Sequence, residues 1–483
     1  MSESRSQKTA SSFLFKITES IGMQGISLVV SLLLARKLDP SDYGVLGMLM
    51  VFIAVAQVFV QSGLNTALIQ KKNADETDLS SAFAVSFGMA AALYALLFFL
   101  SPWFAAVFDM PALKNTLRVM ALILLPGSLI SVQNAVVARR MAFRRLMIAS
   151  LCATALSGTV GLCMAWSGAG YWALVGQQLT NQFSLAVLLL LLVKWRPKRV
   201  FSFERVKGLV RFSWKLLVSS LLETGFVNLR SAVIGVRFSD AALGFFTRGK
   251  QFPELLMNAV NGSIQSVMLP VLSEQQDAPD RMKQLMRRSV VLSSFLVVPM
   301  MAGLAAVAEP LIRLLLTDKW LPCVPFLQLC CIDFAFYPIH TANLQAINAK
   351  GRSDVFLKLE LIKKSYGLII LLVSVLCFDS VMAIAWGGVI STLVSAVVNA
   401  HPNKKLLSYG YLEQMHDILP SILLSLVMFG AVYAMNALAL PAAVLLVLQI
   451  LTGAAVYAGL ALLFRLESAQ FLLQMLTKLK FRK

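Results

Sequence analysis

The sequence predicts an all-α protein that crosses a lipid bilayer many times. Of its 483 residues, 58% are hydrophobic and only 14% are charged, whereas soluble domains carry about 25% charged residues. Apolar runs of about 20 residues, the length that a helix needs to span a bilayer, recur from one end of the chain to the other. A soluble globular protein is therefore excluded.

We count about fourteen predicted spans, separated by short polar turns or basic loops. They lie near residues 13–36, 43–64, 79–100, 116–137, 146–166, 171–193, 211–236, 245–272, 289–308, 323–347, 356–378, 381–400, 417–436 and 441–464. The chain begins MSESRSQKTASS, which lacks the compact apolar core and small-residue cleavage site of a signal peptide. We therefore expect the first apolar run to be the first membrane helix.

The net charge of +19 is distributed unevenly along the chain. With the N-terminus in the cytoplasm, most Lys and Arg residues fall on the cytoplasmic side, including ARRMAFRR (138–145), the stretch 194–211 and the tail KLKFRK. The opposite loops contain only Arg36, Lys37, Lys114, Arg237, Arg313 and Lys319. This asymmetry follows the positive-inside rule and predicts that both termini are cytoplasmic. The positive charge indicates contact with anionic membrane lipids, and no nucleic-acid partner is expected.

The chain has no segment that could form a catalytic domain. A soluble domain needs about a hundred residues, and the longest predicted loop is the stretch 194–211. No D-x-D pair occurs in a cytoplasmic loop, and no convergent acid and base groups are found. The six cysteines fall inside predicted spans without a C-x-x-C pair, so packing is their expected role. We expect no enzyme activity, no cofactor and no metal site.

An internal repeat appears at an offset of about 200 residues. KLDPSDYG (37–44) corresponds to RFSDAALG (237–244), and NAVVAR (134–139) corresponds to QAINAK (345–350). Spans 1–6 and 7–12 are therefore interpreted as two copies of one six-helix unit in the same orientation, with spans 13 and 14 appended. The predicted N-terminal lobe is residues 1–200 and the predicted C-terminal lobe is residues 201–405. Residues 406–483 are predicted to contain spans 13 and 14 and a basic cytoplasmic tail. Repeats of this kind are typical of two-lobed alternating-access transporters.

Polar side chains follow four predicted spans at helical spacing. In hydrocarbon such a stripe faces a watery cavity or holds neighbouring helices together. Span 8 has the clearest stripe, within an arc of about 80°, formed by Gln251, Glu254, Asn258, Asn261 and Gln265. The stripes of spans 1, 2 and 7 include Lys16, Gln57, Gln61, Asn65, Lys215, Glu223 and Arg230. These four spans are equivalent pairs in the repeat, so one wet groove between the lobes would account for all of them.

The stretch GFFTRGKQ (244–251) differs only at its last position from the nucleotide-binding pattern G-x-x-x-x-G-K-[ST]. Bulky side chains occupy positions where small residues should let the backbone wrap a phosphate, and Gln251 replaces the magnesium-binding hydroxyl. The stretch also runs into a membrane span, so we exclude an ATPase. Arg248 and Lys250 remain as cations suited to phosphate. The alternative is that they anchor lipid headgroups, a role that Arg230, deeper in its span, fits less well.

Span 10 places Asp333, Tyr337, His340 and Asn348 on one helical arc. A carboxylate near an imidazole inside a membrane can relay a proton or hold a cation. The alternative is a hydrogen-bonded pair that braces the second lobe. The membrane potential offers a further source of energy, because outward movement of each negative charge gains about 2.3 kcal/mol per 100 mV when the inside is negative.

Two groups of charged residues inside spans have the spacing of local ion pairs. Lys16 lies three residues before Glu19, and Glu360 precedes Lys363 and Lys364 by three and four residues. We interpret both groups as structural.

Four stretches resemble the polysaccharide transporter family, the Wzx-type flippases of the multidrug/oligosaccharidyl-lipid/polysaccharide exporter superfamily. They are LARKLDPSDYGVLGMLMVF (34–52), SGLNTALIQKKNADETDLSSAF (62–83), LGFFTRGKQFPELL (243–256) and LTDKWLPCVPFLQLCC (316–331). The resemblance implies two six-helix lobes forming a V, with spans 1, 2, 7 and 8 lining the cavity. It further implies flipping of undecaprenyl-diphosphate-linked oligosaccharides across a bacterial inner membrane, for O-antigen, exopolysaccharide, capsule or teichuronic acid.

The resemblance also has implications for single residues. The arginine of the family's Y-x-R-A stretch falls on Arg248, but TRGKQ follows a different pattern here, so no role is implied for Lys250. The related lipid II flippases carry several arginines on span 1, where this chain offers only Lys16, which argues against a peptidoglycan precursor. A polysaccharide polymerase and export machinery are further partners in keeping with the family.

Two other classes of protein agree less well with the sequence. A cation-coupled drug exporter of the same superfamily usually has twelve spans and an acidic coupling site, so spans 13 and 14 and the basic stripes count against it. A membrane polysaccharide polymerase usually has a large outer loop with arginines, whereas the outer loops here are short.

We expect the stretch Lys194–Arg211 to lie in the cytoplasm and Trp166–Tyr171 to face outward, because of the distribution of Lys and Arg. In a cysteine-free background, a cysteine placed in the second stretch should react with an impermeant thiol reagent in intact cells. A cysteine in the basic stretch should react only after lysis. Labelling of the basic stretch in intact cells would refute the orientation.

Overall fold

In the computed structural model of the protein, the described residues are 2–61, 64–71, 74–275, 278–438 and 440–470. Side chains are described at these positions except 2–17, 21, 70, 212, 259, 261–267, 269–270 and 353. Within these ranges the secondary structure is helical, without a β-strand. The all-α prediction is confirmed, and the reason is that a helix satisfies its backbone hydrogen bonds within one segment in lipid.

The helices have the following bounds. The first eight are α1 (Ser2–Lys37), α2 (Pro40–Gln61), α3 (Leu64–Gln70), α4 (Glu76–Val107), α5 (Pro111–Met120), α6 (Leu124–Arg140), α7 (Phe143–Trp166) and α8 (Tyr171–Val193). They are followed by α9 (Phe203–Arg237), α10 (Asp240–Ser273), α11 (Pro279–Ala306), α12 (Ala308–Leu315), α13 (Val324–Ala335), α14 (Tyr337–Ala349), α15 (Ser353–Cys377), α16 (Val381–Leu407), α17 (Tyr411–Ala434) and α18 (Ala442–Leu463). Short 3-10 helices lie at Ala121–Ile123, Asp318–Cys323 and Met435–Ala437.

The described residues contain twelve helical segments that are long and apolar enough to cross a membrane. A multi-pass membrane protein is therefore confirmed, and the difference from fourteen lies at predicted spans 8 and 11. Long helices occupy both places, namely α10 and α15. Helix α10 includes side chains that are not described, and α15 carries Glu360, Lys363 and Lys364 in its first half. The count of fourteen stays a prediction.

The chain divides into two compact units, Met1–Gly244 and Phe245–Lys483. The boundary lies in the first turns of α10, and α9 belongs to the first unit, where it packs against α2, α3 and α4. A boundary based on contacts and one based on an internal repeat need not coincide. The lobes predicted at 1–200, 201–405 and 406–483 therefore stay a prediction.

The first unit is built around α6 and α7. Buried apolar side chains of α3, α4, α6, α7 and α8 form its core. Helix α7 packs closely against both α1 and α8, and its buried residues are mainly small: Ala149, Ser150, Ala153, Ser157, Gly158 and Gly161. Small side chains let the backbones of membrane helices approach closely, and the resulting contact area replaces the hydrophobic driving force that lipid does not supply.

The linker between α8 and α9 is fixed to the beginning of α4. The hydroxyl oxygens of Ser80 and Ser81 accept hydrogen bonds from the backbone N–H groups of Lys198 (3.1 Å) and Ser202 (3.0 Å). Both serines are buried. The buried indole of Trp195 donates a hydrogen bond of 3.1 Å to the carboxylate of Glu76, the first residue of α4. These bonds set the position from which α9 starts.

A buried carboxylate strengthens this attachment. Asp78 is fully buried, and its carboxylate lies 2.6 Å from the Lys71 ammonium and 3.3 Å from the Arg205 guanidinium at the start of α9. The backbone N–H of Asp78 also donates to Asp75 at 2.9 Å, which lowers the pKa of the Asp75 carboxyl. Removing either cation would leave a buried charge less well compensated, a change that usually destabilises a fold strongly.

A network of buried amides joins three helices of the second unit. Asn343 on α14 donates to the Gln414 side-chain oxygen of α17 at 2.8 Å, and Gln414 donates back at 3.0 Å. Asn403 on α16 donates to the same Asn343 oxygen at 2.7 Å. All three residues are fully buried. Helix α17, which follows the predicted repeat, is therefore part of the core of this unit.

We expect Asn343→Ala to lower the melting temperature of the detergent-solubilised protein, because each buried amide group left without a partner costs about 1–3 kcal/mol. Asn348→Ala is the matched control on the same helix, since Asn348 is exposed, and its effect should stay within about 0.5 kcal/mol. Equal melting temperatures for the two variants would show that the network does not stabilise the fold.

Candidate functional site

Helix α9, in the first unit, carries the charged residues predicted for span 7. Lys215 and Glu223 are exposed, and Arg230 is half-buried near the end of the helix. Lys215 lies 5.9 Å from the ring centroid of Trp214, within the range of a cation–π contact. Arg230 makes no ion pair with any described residue.

The polar residues predicted for span 2 occupy different surroundings. Gln57 is half-buried and Gln61 is exposed on α2, and Asn65 is half-buried on α3. Asn65 lines a cavity of about 430 Å³ together with Glu19 and Asn134. The stripe predicted for span 2 stays a prediction.

Glu19 is the acidic residue of this cavity, and it is only 3% exposed. Its carboxylate accepts a hydrogen bond from the Ser150 hydroxyl at 2.9 Å. The side-chain oxygens of Asn65 and Asn134 are buried in the same cavity and accept no hydrogen bond within the described part of the chain. One carboxylate and several neutral oxygens thus come together from α1, α3, α6 and α7.

Three predicted residues lie outside the described side chains. They are Lys16 on α1 and Asn261 and Gln265 on α10. The predicted ion pair of Lys16 with Glu19 is outside the described residues for the same reason. By contrast, the ion pair predicted for Glu360 and Lys363 is confirmed, with the ammonium 2.5 Å from the carboxylate.

The stretch GFFTRGKQ lies inside helix α10, which begins at Asp240. Backbone N–H groups beyond the first turn of a helix are bonded to carbonyls four residues earlier, so they cannot wrap a phosphate as in a nucleotide-binding loop. The exclusion of that loop is confirmed by this helical backbone.

Arg248 is packed into the second unit and is only 3% exposed. Its Nη1 donates to the side-chain oxygen of Gln251 at 2.5 Å, and its guanidinium carbon lies 5.7 Å from the ring centroid of Trp320. The neighbouring Gly249 allows this packing, because a Cβ there would lie 2.8 Å from the carbonyl oxygen of Cys323. The part of α10 that belongs to the second unit therefore packs, at its start, against the residues that directly precede α13.

The remaining predicted residues of α10 are more accessible. Lys250 and Glu254 are half-buried and their charged atoms are 3.9 Å apart, at the spacing of one helical turn. Asn258 is exposed. Lys250 therefore has an acidic neighbour that offsets its charge, whereas Arg248 is held by a neutral amide and an aromatic ring.

Asp333 and His340 both bond to α16. The carboxylate of Asp333 accepts a hydrogen bond from the Thr392 hydroxyl, and His340 Nδ1 lies 3.1 Å from Asn399 Nδ2. The rings of Tyr337 and His340 meet edge to face with centroids 6.3 Å apart. The two bonds to α16 are two helical turns apart on both sides, so they brace α13 and α14 along α16.

The family of the chain follows from its sequence match. A family model described as polysaccharide biosynthesis protein matches residues 33–325. The chain belongs to this polysaccharide biosynthesis protein family. The match includes helices α2 to α12, and with them the α9 and α10 residues described above.

Three relatives of this chain are distant in sequence but match along most of their length. The succinoglycan biosynthesis transport protein ExoT of Rhizobium meliloti (strain 1021) is 23% identical, covering 80% of this chain and 75% of that protein. The teichuronic acid biosynthesis protein TuaB of Bacillus subtilis (strain 168) is 24% identical, covering 83% and 84%. The lipopolysaccharide biosynthesis protein WzxC of Escherichia coli (strain K12) is 21% identical, covering 81% and 79%.

Solved structures share the fold of this polysaccharide biosynthesis protein. The lipid II flippase MurJ in an inward closed conformation matches with a TM-score of 0.78 at 15% identity, covering 94% of this chain and 99% of that structure. An inward-facing multidrug transporter of the MATE family and MOP superfamily matches with a TM-score of 0.57 at 15% identity, covering 84% and 98%. The predicted resemblance to the polysaccharide transporter family is confirmed, and its transporter relatives indicate a non-enzymatic protein.

The cavity around Glu19 is the feature that sequence reasoning missed. The spacing of Lys16 and Glu19 suggested only a local ion pair, yet the structure brings the Ser150 hydroxyl to the Glu19 carboxylate and places Asn65 and Asn134 in the same cavity. The sequence does contain a signal for this cavity, because Glu19 is an acidic residue within an apolar run. Such residues usually face a polar environment inside the protein.

Proposed function

We propose that this chain is a flippase that moves an undecaprenyl-diphosphate-linked oligosaccharide from the cytoplasmic to the outer leaflet by alternating access. The main support for this proposal is that relatives named for the biosynthesis of succinoglycan, teichuronic acid and lipopolysaccharide match this chain over at least 75% of their length. Its fold resembles a lipid II flippase, which by its name moves a lipid-linked precursor. Export of a surface polysaccharide is the corresponding biological role.

The proposed location is the bacterial inner membrane, with both termini in the cytoplasm. The distribution of Lys and Arg supports this orientation. In the same orientation, the turns at 37–44 and 237–244 lie on the outer side. A polysaccharide polymerase and export machinery would then receive the flipped oligosaccharide there.

The diphosphate is the part of the substrate that stays constant when the sugars differ. A transporter for such substrates needs fixed cations along the path of the diphosphate. Arginine suits this role because its planar guanidinium can donate two parallel hydrogen bonds to phosphate oxygens. Arg230 is the best candidate for direct contact, since it is half-buried and makes no ion pair with any described residue. Lys215 and Lys250 are weaker candidates, and Lys16 is a further one on α1.

Arg248 takes a different part in this proposal. It is nearly inaccessible beside Gln251 and Trp320, so it can meet a diphosphate only when this packing opens. Arg230 would then bind the diphosphate in the conformation described here, and Arg248 would bind it at a later stage of transport. The two arginines are expected to differ in how strongly they affect folding.

The amide and acidic side chains would line the path of the sugars, whose hydroxyl groups need hydrogen-bond partners. The proposed lining residues are Gln57, Gln61, Asn65, Glu223, Gln251, Glu254, Asn258, Asn261 and Gln265. Of those with described side chains, Gln61, Glu223 and Asn258 are the exposed members. Neutral amides and scattered carboxylates suit a family whose members act on different glycans, because they bind hydroxyls without demanding one sugar.

Energy coupling through Asp333 and His340 is a second part of the proposal. Asp333 would bind a proton or cation and pass the change to α16 through Thr392. Glu19 in the first unit is the matched comparison, since it is also an acidic residue that accepts a bond from a hydroxyl group. The alternative energy source is the membrane potential acting on the charged diphosphate.

Complementation of defined strains that each lack one polysaccharide flippase is the experiment that tests the function. Rescue of a surface polysaccharide in at least one strain is expected, and the rescued strain identifies the class of glycan. Export of cationic drugs without rescue in any strain would instead favour the cation-coupled multidrug exporter, which shares the fold.

In a rescued strain, Arg230→Ala should slow flipping by about ten-fold or more, because a hydrogen bond to a charged group contributes about 1.5–3 kcal/mol. Protein abundance in the membrane should stay normal, and Arg230→Lys should recover part of the activity, since charge returns without the planar fork. Arg248→Ala should slow flipping and also lower the melting temperature. Arg211→Ala, an exposed arginine on the same helix α9, is the matched control. Normal flipping by Arg230→Ala and by Arg248→Ala, each at normal abundance, would remove the anion-binding role of these two arginines.

Asp333→Asn tests coupling, because asparagine keeps a hydrogen-bond acceptor for Thr392 but cannot bind a proton in this range. If Asp333 couples transport, the variant should lose the dependence of flipping on the proton gradient, measured in vesicles between about pH 6 and 8. Glu19→Gln should leave that dependence unchanged. Wild-type flipping by Asp333→Asn across the whole range would leave Asp333 with a bracing role only.

A further inference from the structure

Two short turns of the first unit are built alike, at the offset of 200 that the sequence repeat predicts. The first joins α1 to α2 and the second joins α9 to α10. In the first turn, the backbone N–H of Asp39 donates to the Asp42 carboxylate at 2.9 Å. In the second, the Ser239 hydroxyl accepts from the backbone N–H of Ala242 at 3.3 Å. Both turns are therefore fixed at residues 39 and 239 by hydrogen bonds of the helix-capping type.

The two turns contact each other in a reciprocal way. A Cβ built on Gly44 would lie 1.9 Å from the carbonyl oxygen of Asp240, and a Cβ built on Gly244 would lie 1.9 Å from the carbonyl oxygen of Pro40. Adding 200 to the numbers of Pro40 and Gly44 gives those of Asp240 and Gly244, so the two contacts exchange the same two positions. Such an arrangement is isologous, meaning that each partner uses the same patch.

Only glycine fits at these two places. The atoms that a Cβ would meet belong to backbone, so no side-chain rotation can relieve the clash. Among the described glycines, Gly44 and Gly244 are the two at which a Cβ would come within 2 Å of a backbone oxygen. The hydrogen that replaces Cβ in glycine points at the carbonyl oxygen, which is the geometry of a weak C–H···O bond. Such a contact is close but costs little to break.

Tight packing continues from the turns into the helices. A Cβ on Gly235 of α9 would lie 2.9 Å from the sulfur of Met48 on α2. Met48 and Leu243 are both fully buried. Partial burial also raises the pKa of the Asp240 carboxyl. The N-terminal part of α2, which follows the first turn, therefore packs tightly against the C-terminal end of α9.

We propose that this reciprocal contact between Gly44 and Gly244 is the outer gate of the transporter, which closes and opens once in each transport cycle. The inference rests on the proposed function, because alternating access requires helices that line the path to separate at one end. The contact that closes this gate is made by backbone atoms of the two turns. The two glycines are therefore positioning residues for transport rather than substrate ligands.

Alanine substitution tests the gate from the closed side. Gly44→Ala and Gly244→Ala should each slow flipping by about ten-fold or more, because overpacking of a tight contact shifts the closed state by that factor. Gly88→Ala on α4 is the matched control, since a Cβ there meets no atom within 4 Å. A buried reporter cysteine, Leu243→Cys in a cysteine-free background, should react several-fold faster with an impermeant thiol reagent in the two gate variants than in the control.

Cross-linking tests the same gate without changing either glycine. Ser41→Cys and Ala241→Cys lie beside the contacting carbonyls, and a short reductant-cleavable bismaleimide should join them. The joined protein should stop flipping and should recover after cleavage, whereas either single cysteine treated alike should flip normally. Wild-type flipping by the joined protein would overturn the gate and leave the contact as static packing.

The labelling readout needs no substrate, so it separates the gate from the proposed function. If the wild-type chain rescues no flippase-deficient strain, the proposed function fails, while faster labelling of Leu243→Cys in the glycine variants still supports a gate. Unchanged labelling together with normal flipping by Gly44→Ala and Gly244→Ala would show that the contact tolerates a Cβ, and this result would overturn the gate. A loss of protein in the membrane, with normal flipping per remaining molecule, would also overturn the gate.

Discussion

In hydrocarbon a polar group has no water to bond, so each one inside the bilayer must find a partner within the protein. This constraint explains why the described chain is helical, and it also determines where the helices meet. The amides of Asn343, Asn403 and Gln414 satisfy one another only if α14, α16 and α17 are side by side. Asp78 requires its two cations in the same way and thereby fixes the start of α9.

Local features of the sequence predicted the structure well. The apolar runs identified the helices, and the spacing of Glu360 and Lys363 identified an ion pair within one turn. The repeat offset of 200 identified two turns whose glycines carry equivalent contacts. All of these depend on neighbours along the chain or on comparison of the chain with itself, and both kinds of information are present in one sequence.

Contacts between distant segments were not predictable from the same patterns. Helical spacing put Arg248 beside the polar stripe of α10, but the ring that covers it comes from Trp320, before α13. The arc of Asp333 and His340 was recognised, whereas their partners on α16 were not. Periodicity reports which face of a helix is polar, and it contains no information about which other helix meets that face.

The reciprocal turn contact has an implication for how such a chain arises. An isologous contact needs one surface only, because each partner supplies the half that the other lacks. A single six-helix chain with a glycine at the position of Gly44 would contain both halves of the contact, and two identical copies of it could pair through the same turns. Fusion of two such genes would preserve the pairing without any new interface. Afterwards the two copies could diverge in their charged residues, provided that both glycines were retained.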